Sequence, residues 1–277
     1  MTLSLHDFAL LVAALLAAGA VMGVLSGMLG IGGGGVLVPV LYETFGFLGV
    51  DPAIRMQMSV GTSLAVVGVT SWRTFTSHRA RGSVDVALLQ RLGPSFVVGV
   101  VLGVVFARNA GGTALKWAWV IFGSLMATKL AFGRESWRLG NEIPKSRIVE
   151  LYAAAVGFVS VLLSIAGAAY MVTLMTLYGR PILQAVGTSS GFGPLVSIPG
   201  VIGFVWAGWQ ATGTPAASLG YVNLLGAALI LPASLALAPV GVRIAHGISK
   251  RTLEIAFAVF LYIVVLRFLA SLLGLTG

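Results

Sequence analysis

The sequence predicts an all-α polytopic membrane protein: two inverted-topology repeats with broken or re-entrant helices at the midplane. Three observations predict it. Apolar residues make up 58% of the 277, charged residues only 9%, and the mean hydropathy is +1.00, whereas a soluble domain carries about 25% charge. Weakly polar runs of near-membrane length recur along the whole chain. A glycine-rich stretch in the first half has an echo in the second.

The elements follow in order. The first run, 8–29, has no basic leader region and passes straight into glycines, so it reads as a span and not as a removable signal. "GVLSGMLGIGGGGVLVPVL" (23–41) interrupts it, and a second run covers 35–49. Runs at 57–75, 87–107 and 114–133 complete a first repeat, 1–133. A polar, basic linker occupies 134–147. The second repeat, 148–277, holds runs at 148–166, 168–178, 183–206, 219–240 and 252–272. The runs at 35–49 and 168–178 are too short to cross a bilayer comfortably. Each follows a break of small residues, so each spans or re-enters.

The echo is ordered. In "GFVSVLLSIAGAAYMVTLM" (157–175), Gly157, Ser160, Ile165, Gly167 and Val172 match Gly23, Ser26, Ile31, Gly33 and Val38. Downstream, Val60-Gly-Thr-Ser63 recurs as Val186-Gly-Thr-Ser189 at nearly the same offset. Each half holds five crossings, or three plus a re-entrant hairpin made of two runs; both counts are odd, so the second half enters the membrane from the opposite side. That is the inverted repeat of many secondary transporters, with the substrate site at the midplane between halves.

Charge orients the chain. If the runs alternate sides, Arg55, Arg108, Lys116 and Arg267 fall on one side and the other 13 of the 17 Lys and Arg on the opposite side. The positive-inside rule makes the richer side cytoplasmic. Both termini then lie outside, periplasmic if the chain sits in a bacterial inner membrane. The net charge of +9 is thus topology, and nucleic acid is not an expected partner. The expected partners are a lipid bilayer and a small anion.

The anion follows from the breaks. Unpaired backbone groups cannot face hydrocarbon, so four consecutive glycines inside an apolar run need a purpose. A helix restarting near Gly32, Gly33, Gly34 and Gly35 offers free N–H groups and a partial positive charge. Without a Cβ, the backbone can be approached closely. The break at Gly167 and Ala168 repeats this in the second half. Thr62, Ser63, Thr188, Ser189 and Ser190 supply neutral hydroxyl donors, as do Ser26 and Ser164; Gln57 and Gln184 supply amide donors. The binding set is therefore Gly32–Gly35, Gln57, Thr62, Ser63, Gly167, Ala168, Gln184, Thr188 and Ser189.

Absences point the same way. All eight Asp and Glu, and His6, His78 and His246, fall at run ends or in loops, and there is no cysteine. A cation carrier or proton relay keeps an acid at depth. A membrane enzyme needs a nucleophile–base pair or a ligand cluster there. No enzyme, metal or cofactor is expected. The bland readings stand beside these: Gly19, Gly23 and Gly27 form a small-residue packing face, and any one Ser or Thr in a membrane helix can simply bond back to its own i−4 carbonyl. Arg55 and Arg180 read as interfacial.

The "GMLGIGGGGVLVP" signature at 27–39, the two VGTS blocks, "HRARGSVD" at 78–85 and the closing "GVRIAHGISKRTLEIAFAVFLYIVVLRFL" at 241–269 resemble the TauE/SafE sulfite-exporter family, also called the toluene sulfonate uptake permeases. The resemblance implies transport of sulfite, sulfonates or related sulfur oxyanions, with substrate and direction differing among members. Ala166, Ala168 and Ala169 replace glycines of the first copy, and Thr173 stands where Pro39 does. Contacts from the second half are then weaker or run through Thr173. Export is favoured energetically, since an outward anion gains about 2.3 kcal/mol per charge per 100 mV. An anion channel, an importer of sulfate, thiosulfate or carboxylates, and a non-transporting membrane protein are the alternatives. Valine at Gly33 or Gly34 is expected to abolish flux and leave the protein folded.

Overall fold

The computed structural model describes residues 5–29, 33–133, 138–165, 167–247 and 249–275. They form helices joined by short turns. α1 (Leu5–Leu29) and α2 (Gly34–Phe47) flank the first glycine break; α3 (Pro52–Ala80) and α4 (Val86–Phe132) complete the first half. α5 (Arg147–Leu163), α6 (Ala168–Leu177), α7 (Ile182–Ser190), α8 (Phe192–Ala207), α9 (Leu224–Gly247) and α10 (Lys250–Leu272) form the second. The helix starts carry local signals. Asp51 accepts from Ala53 N ahead of Pro52, Asp85 from Leu88 N, and Ser249 from Thr252 N.

Among the described residues, four stretches are long and apolar enough to cross a membrane: Val86–Phe132, Ile182–Ala207, Leu224–Gly241 and Arg251–Leu272. The chain is an all-α polytopic membrane protein. α7 and α8 join as one crossing because Gly191 keeps helical angles (φ −68°, ψ −22°). α4 is the reverse case. Its 47 residues would reach about 70 Å as one rod, but Gly111 takes φ 70°, ψ 172° and splits it. The sequence suggested a loop over 108–113; one glycine performs the turn. Glycine is required there, since a side chain resists that φ.

Glycines also set how closely the helices approach. A Cβ on Gly19 or Gly23 would sit 2.4 Å from the carbonyl oxygen of Ile230 or Ser234, so α1 and α9 pack backbone to backbone, side by side and parallel. The surroundings of Gly27 lie outside the described residues. Gly99 and Gly157 do the same between α4 and α5, against Ala154 O and Phe96 O. The second part of α4 runs antiparallel to α10, pinned by Lys116 Nζ to Ser271 Oγ (3.0 Å) at one end and Arg251 Nη1 to Leu130 O (2.9 Å) at the other. Between these pairs lie Phe96, Trp119, Phe192, Phe204 and Phe268, all fully buried. A two-residue antiparallel ladder, 218–219 with 222–223, leads into α9 and has no counterpart in the predicted elements.

Candidate functional site

Both breaks take the same backbone form. Gly33 caps α2 at φ 63°, ψ −10°, and Gly167 caps α6 at φ 67°, ψ −8°. The left-handed cap turns the chain sharply, and the helix then restarts with its first N–H groups ahead of any intrahelical acceptor. Val36 N and Leu37 N bond to Gly33 O; Met171 N bonds to Gly167 O. Gly34 and Gly35 open α2, and Ala168 opens α6. Gly32 lies outside the described residues.

The breaks touch. A Cβ on Gly34 would lie 1.7 Å from the carbonyl oxygen of Ser164, the left-handed C-cap of α5 (φ 54°). Ser164 Oγ in turn donates to Ser63 Oγ on α3 at 2.9 Å. Thus Gly34, Ser63, Ser164 and the start of α6 form one buried junction between the halves. This overturns the valine expectation. At Gly34 any side chain meets backbone, and at Gly33 it meets both a positive φ and Met22 at 2.5 Å. Valine at either would damage the fold itself. Gly35 is different: a Cβ there finds ordinary contacts with Phe257, Ile165 and Leu261 from 3.4 Å.

The VGTS blocks make matching contacts. Thr62 Oγ1 accepts from Asn223 N (2.9 Å), and Thr188 Oγ1 accepts from Asp85 N (2.8 Å). Gly61 lies under Tyr221 O, and Gly187 under Ser83 O. Asn223 Oδ1 accepts from Gly226 N, as Asp85 Oδ1 does from Leu88 N. Each threonine therefore seats the N-terminal cap of a helix from the other half. Gly82-Ser-Val-Asp85 and Gly220-Tyr-Val-Asn223 are the partners, both entered through a positive-φ glycine. That third echo is legible in the sequence as G-x-V-D/N.

The remaining expected donors scatter. Gln57 reaches Gly112 N (3.2 Å) and Ala53 O (3.1 Å) with its side-chain amide, so it satisfies the N–H freed by the α4 turn. Gln184 is half-buried at the start of α7. Ser189 and Ser190 bond back to Val186 O and Gly187 O. Thr173 bonds back to Ala169 O, which leaves its hydroxyl proton already used. Ser26 is half-buried on α1. The junction thus gathers Gly33, Gly34, Gly35, Ser63, Gly167 and Ala168, whereas Thr62, Thr188 and Gln57 serve helix ends.

One residue was missed. Ser160, on α5, is fully buried, and its Oγ has no hydrogen-bond partner. A Cβ on Gly167 would lie 3.3 Å from that oxygen, so the free hydroxyl sits beside the cap of α6. A buried hydroxyl left unpaired costs about 1–3 kcal/mol. Its signal in the sequence was the match to Ser26.

Charge stays at the ends. Asp85 pairs with Arg180 Nη2 at 3.7 Å, and Glu43 with Arg267 Nε at 3.1 Å. The Arg180 pair ties the start of α7 to the cap of α4. His78, at the end of α3, holds its proton less readily than a free imidazole, through burial first and Arg81 second. Among the described residues no three His, Asp or Glu converge as a metal site. What the junction offers is N–H and O–H donors in an uncharged, buried setting, which suits an oxyanion.

A family model for the sulfite exporter TauE/SafE matches residues 15–268. The chain is 29% identical over 255 residues to a probable membrane transporter protein of Haemophilus influenzae, covering 90% of this chain and 94% of that protein. It is 25% identical over 277 residues to a probable membrane transporter protein of Methanocaldococcus jannaschii, covering 98% and 96%. No solved structure matches.

Proposed function

The chain belongs to the sulfite exporter TauE/SafE family and is a membrane transporter, and from that premise we propose that it exports sulfur-containing oxyanions, sulfite or an organosulfonate. The anion binds at the junction where the start of α2 meets the C-cap of α5, beside the start of α6. The observation that carries this is the pairing of two glycine-capped helix starts with the free, buried hydroxyl of Ser160 beside one of them. Two helix N-termini supply N–H donors and partial positive charge without a buried cation. An oxyanion oxygen completes the unsatisfied serine. The closely matching cap geometry at Gly33 and Gly167, and the crossed contacts of the VGTS blocks, support two repeats related by inversion, 1–133 and 148–277, rocking about the bound anion. The charge distribution supports termini on the outer side.

Replacing Ser160 with alanine tests the site without a packing penalty, because the hydroxyl has no partner to lose. Sulfite titrated into purified protein is expected to bind about tenfold more weakly to Ser160→Ala, the order of one charge-assisted hydrogen bond. Efflux from preloaded proteoliposomes should slow in parallel, with the melting temperature at or above wild type. Unchanged affinity would move the site away from the junction. Acetate and sulfate, titrated alongside, report whether a sulfur oxyanion is selected.

A further inference from the structure

Of the four basic residues that the charge count places outside, two flank one ring and a third pairs with the residue beside it. Arg55 Cζ lies 5.3 Å from the centroid of Tyr42, and Lys116 Nζ lies 5.0 Å from the same centroid. The third, Arg267, is bound to Glu43, the residue after Tyr42. These residues come from α2, α3, the second part of α4, and α10, all at one end of the bundle. The cluster has three cations and one carboxylate, and that carboxylate is occupied.

Neither remaining cation finds a counter-charge. Arg55 donates from Nε and Nη2 to Val50 O (3.2 and 2.9 Å), and Lys116 donates to Ser271 Oγ (3.0 Å). Among the described residues no carboxylate lies within ion-pair distance of either. Attraction to the Tyr42 ring holds both in place, yet two half-buried like charges around one ring repel each other. One helical turn along from Lys116, Trp119 is fully buried and its indole N–H has no acceptor. Its ring meets Phe268 (5.7 Å), and Phe268 meets Tyr42 (5.3 Å). Two cations lack an anion and, one turn along the same helix from Lys116, a buried donor lacks an acceptor.

We propose that the Tyr42 cluster is a second anion site, separate from the helix-break junction, in which Arg55 and Lys116 hold a small oxyanion at one mouth of the protein with the Trp119 N–H as a neutral donor. It rests on the transport reading only for the identity of the ligand. Its position makes it a waiting site between the junction and the medium. Such a site raises the local anion concentration and loses that advantage in high salt.

The experiment is a calorimetric titration of sulfite into the full-length protein in detergent at low ionic strength. Wild type is expected to bind two equivalents, and Lys116→Gln one, with Lys116→Arg restoring the second. Trp119→Phe keeps the ring and removes the donor; it should weaken the same event several-fold. Raising ionic strength should weaken that event more than the other. An isotherm of Lys116→Gln that superimposes on wild type overturns the proposal, as does a wild type that binds no sulfite. If Lys116→Gln does not fold, Trp119→Phe decides in its place. The two sites separate cleanly: a single event removed by Lys116→Gln but untouched by Ser160→Ala upholds this site and defeats the junction. A single event that responds only to Ser160→Ala does the reverse.

Discussion

The two helix breaks share a backbone form but not an environment. At the first, Gly34 rests on the carbonyl of Ser164, so backbone meets backbone. At the second, the position that matches Gly34 is Ala168, and the atoms nearest a Cβ on the cap Gly167 would be side-chain atoms, the Phe96 ring at 3.0 Å and the Ser160 hydroxyl at 3.3 Å, as Met22 is at the first cap, Gly33. The difference explains their compositions. The first copy needs glycine after its cap because the other half's chain passes within van der Waals distance of it. The second copy carries Ala168 and Ala169 at the equivalent positions. The clearance is thus supplied from one side, and the space beside the second cap is bounded by groups that can move. Substitutions in the second half therefore read as weaker ligand contacts in the sequence, although the only buried hydroxyl without a partner beside either described cap lies there.

The sharpest way to break this comparison is to add one methyl group at successive positions. Gly34→Ala is expected to abolish folded protein, since the overlap at 1.7 Å is with a carbonyl oxygen that anchors the junction; overpacking of this kind exceeds the usual 1–3 kcal/mol. Gly35→Ala, one residue on, should fold normally, because its new methyl finds contacts at 3.4 Å and beyond. Helix propensity even favours the change by up to about 1 kcal/mol. Yield of monodisperse protein by size-exclusion chromatography separates the two variants. Equal behaviour at 34 and 35 would mean that the halves are not in contact there.

A smaller effect is expected at the second cap. Gly167→Ala forces an L-residue to φ 67° and pushes on Phe96, which costs about 1–2 kcal/mol of backbone strain before any repacking. The variant should fold with a lower melting temperature and bind sulfite more weakly. A variant that folds as poorly as Gly34→Ala would erase the asymmetry on which this comparison rests.

Much of this arrangement was legible, for physical reasons. Helix runs are visible because lipid demands continuous apolarity. The breaks are visible because glycine adopts the left-handed cap angles seen at Gly33 and Gly167 at least cost. The roles of Thr62, Thr188 and Gln57 were not visible. A buried hydroxyl or amide looks the same in sequence whether it binds a ligand or a distant N–H, and their partners lie far along the chain at Asn223, Asp85 and Gly112. The turn at Gly111 was hidden for a similar reason: a single non-helical residue leaves hydropathy almost unchanged. Ser160 was passed over because nothing in a sequence marks a hydroxyl as unpartnered.

Thr62 and Thr188 offer a comparison between the two ends of the molecule. Thr62→Val leaves Asn223 N without its acceptor, and Thr188→Val does the same to Asp85 N; a stranded N–H costs about 1–3 kcal/mol where it is buried, as at Asn223, and less at the part-buried Asp85. The two caps are not equally supported, however. Asp85 has a second tie through Arg180, whereas Asn223 is neutral and bonds to Ala216 O and Ser218 Oγ on its own hairpin. Thr62→Val should therefore lower the melting temperature more. The larger loss at Thr188 would show that the Arg180 pair contributes little.

The smallest effect belongs to the same end as Thr188. The hydroxyl of Ser83 donates to His78 O and lies 3.1 Å from His78 Nδ1, and Ser83 O packs on Gly187. Burial, with Arg81 adding to it, makes folded His78 hold its proton less readily than unfolded His78. The unfolded chain therefore takes up the proton first as pH falls. The stability that neutral His78 contributes is present above its ordinary value of 6.5 and is lost below it. Thermal unfolding between pH 8 and pH 5.5 (chosen to bracket about 6.5) should show wild type losing more stability than His78→Asn, whose side chain cannot take up a proton in that range. Parallel pH profiles would mean that the loop carrying the Thr188 contact is held by geometry alone, which would leave Arg180 and Asp85 as the charged tie at that end.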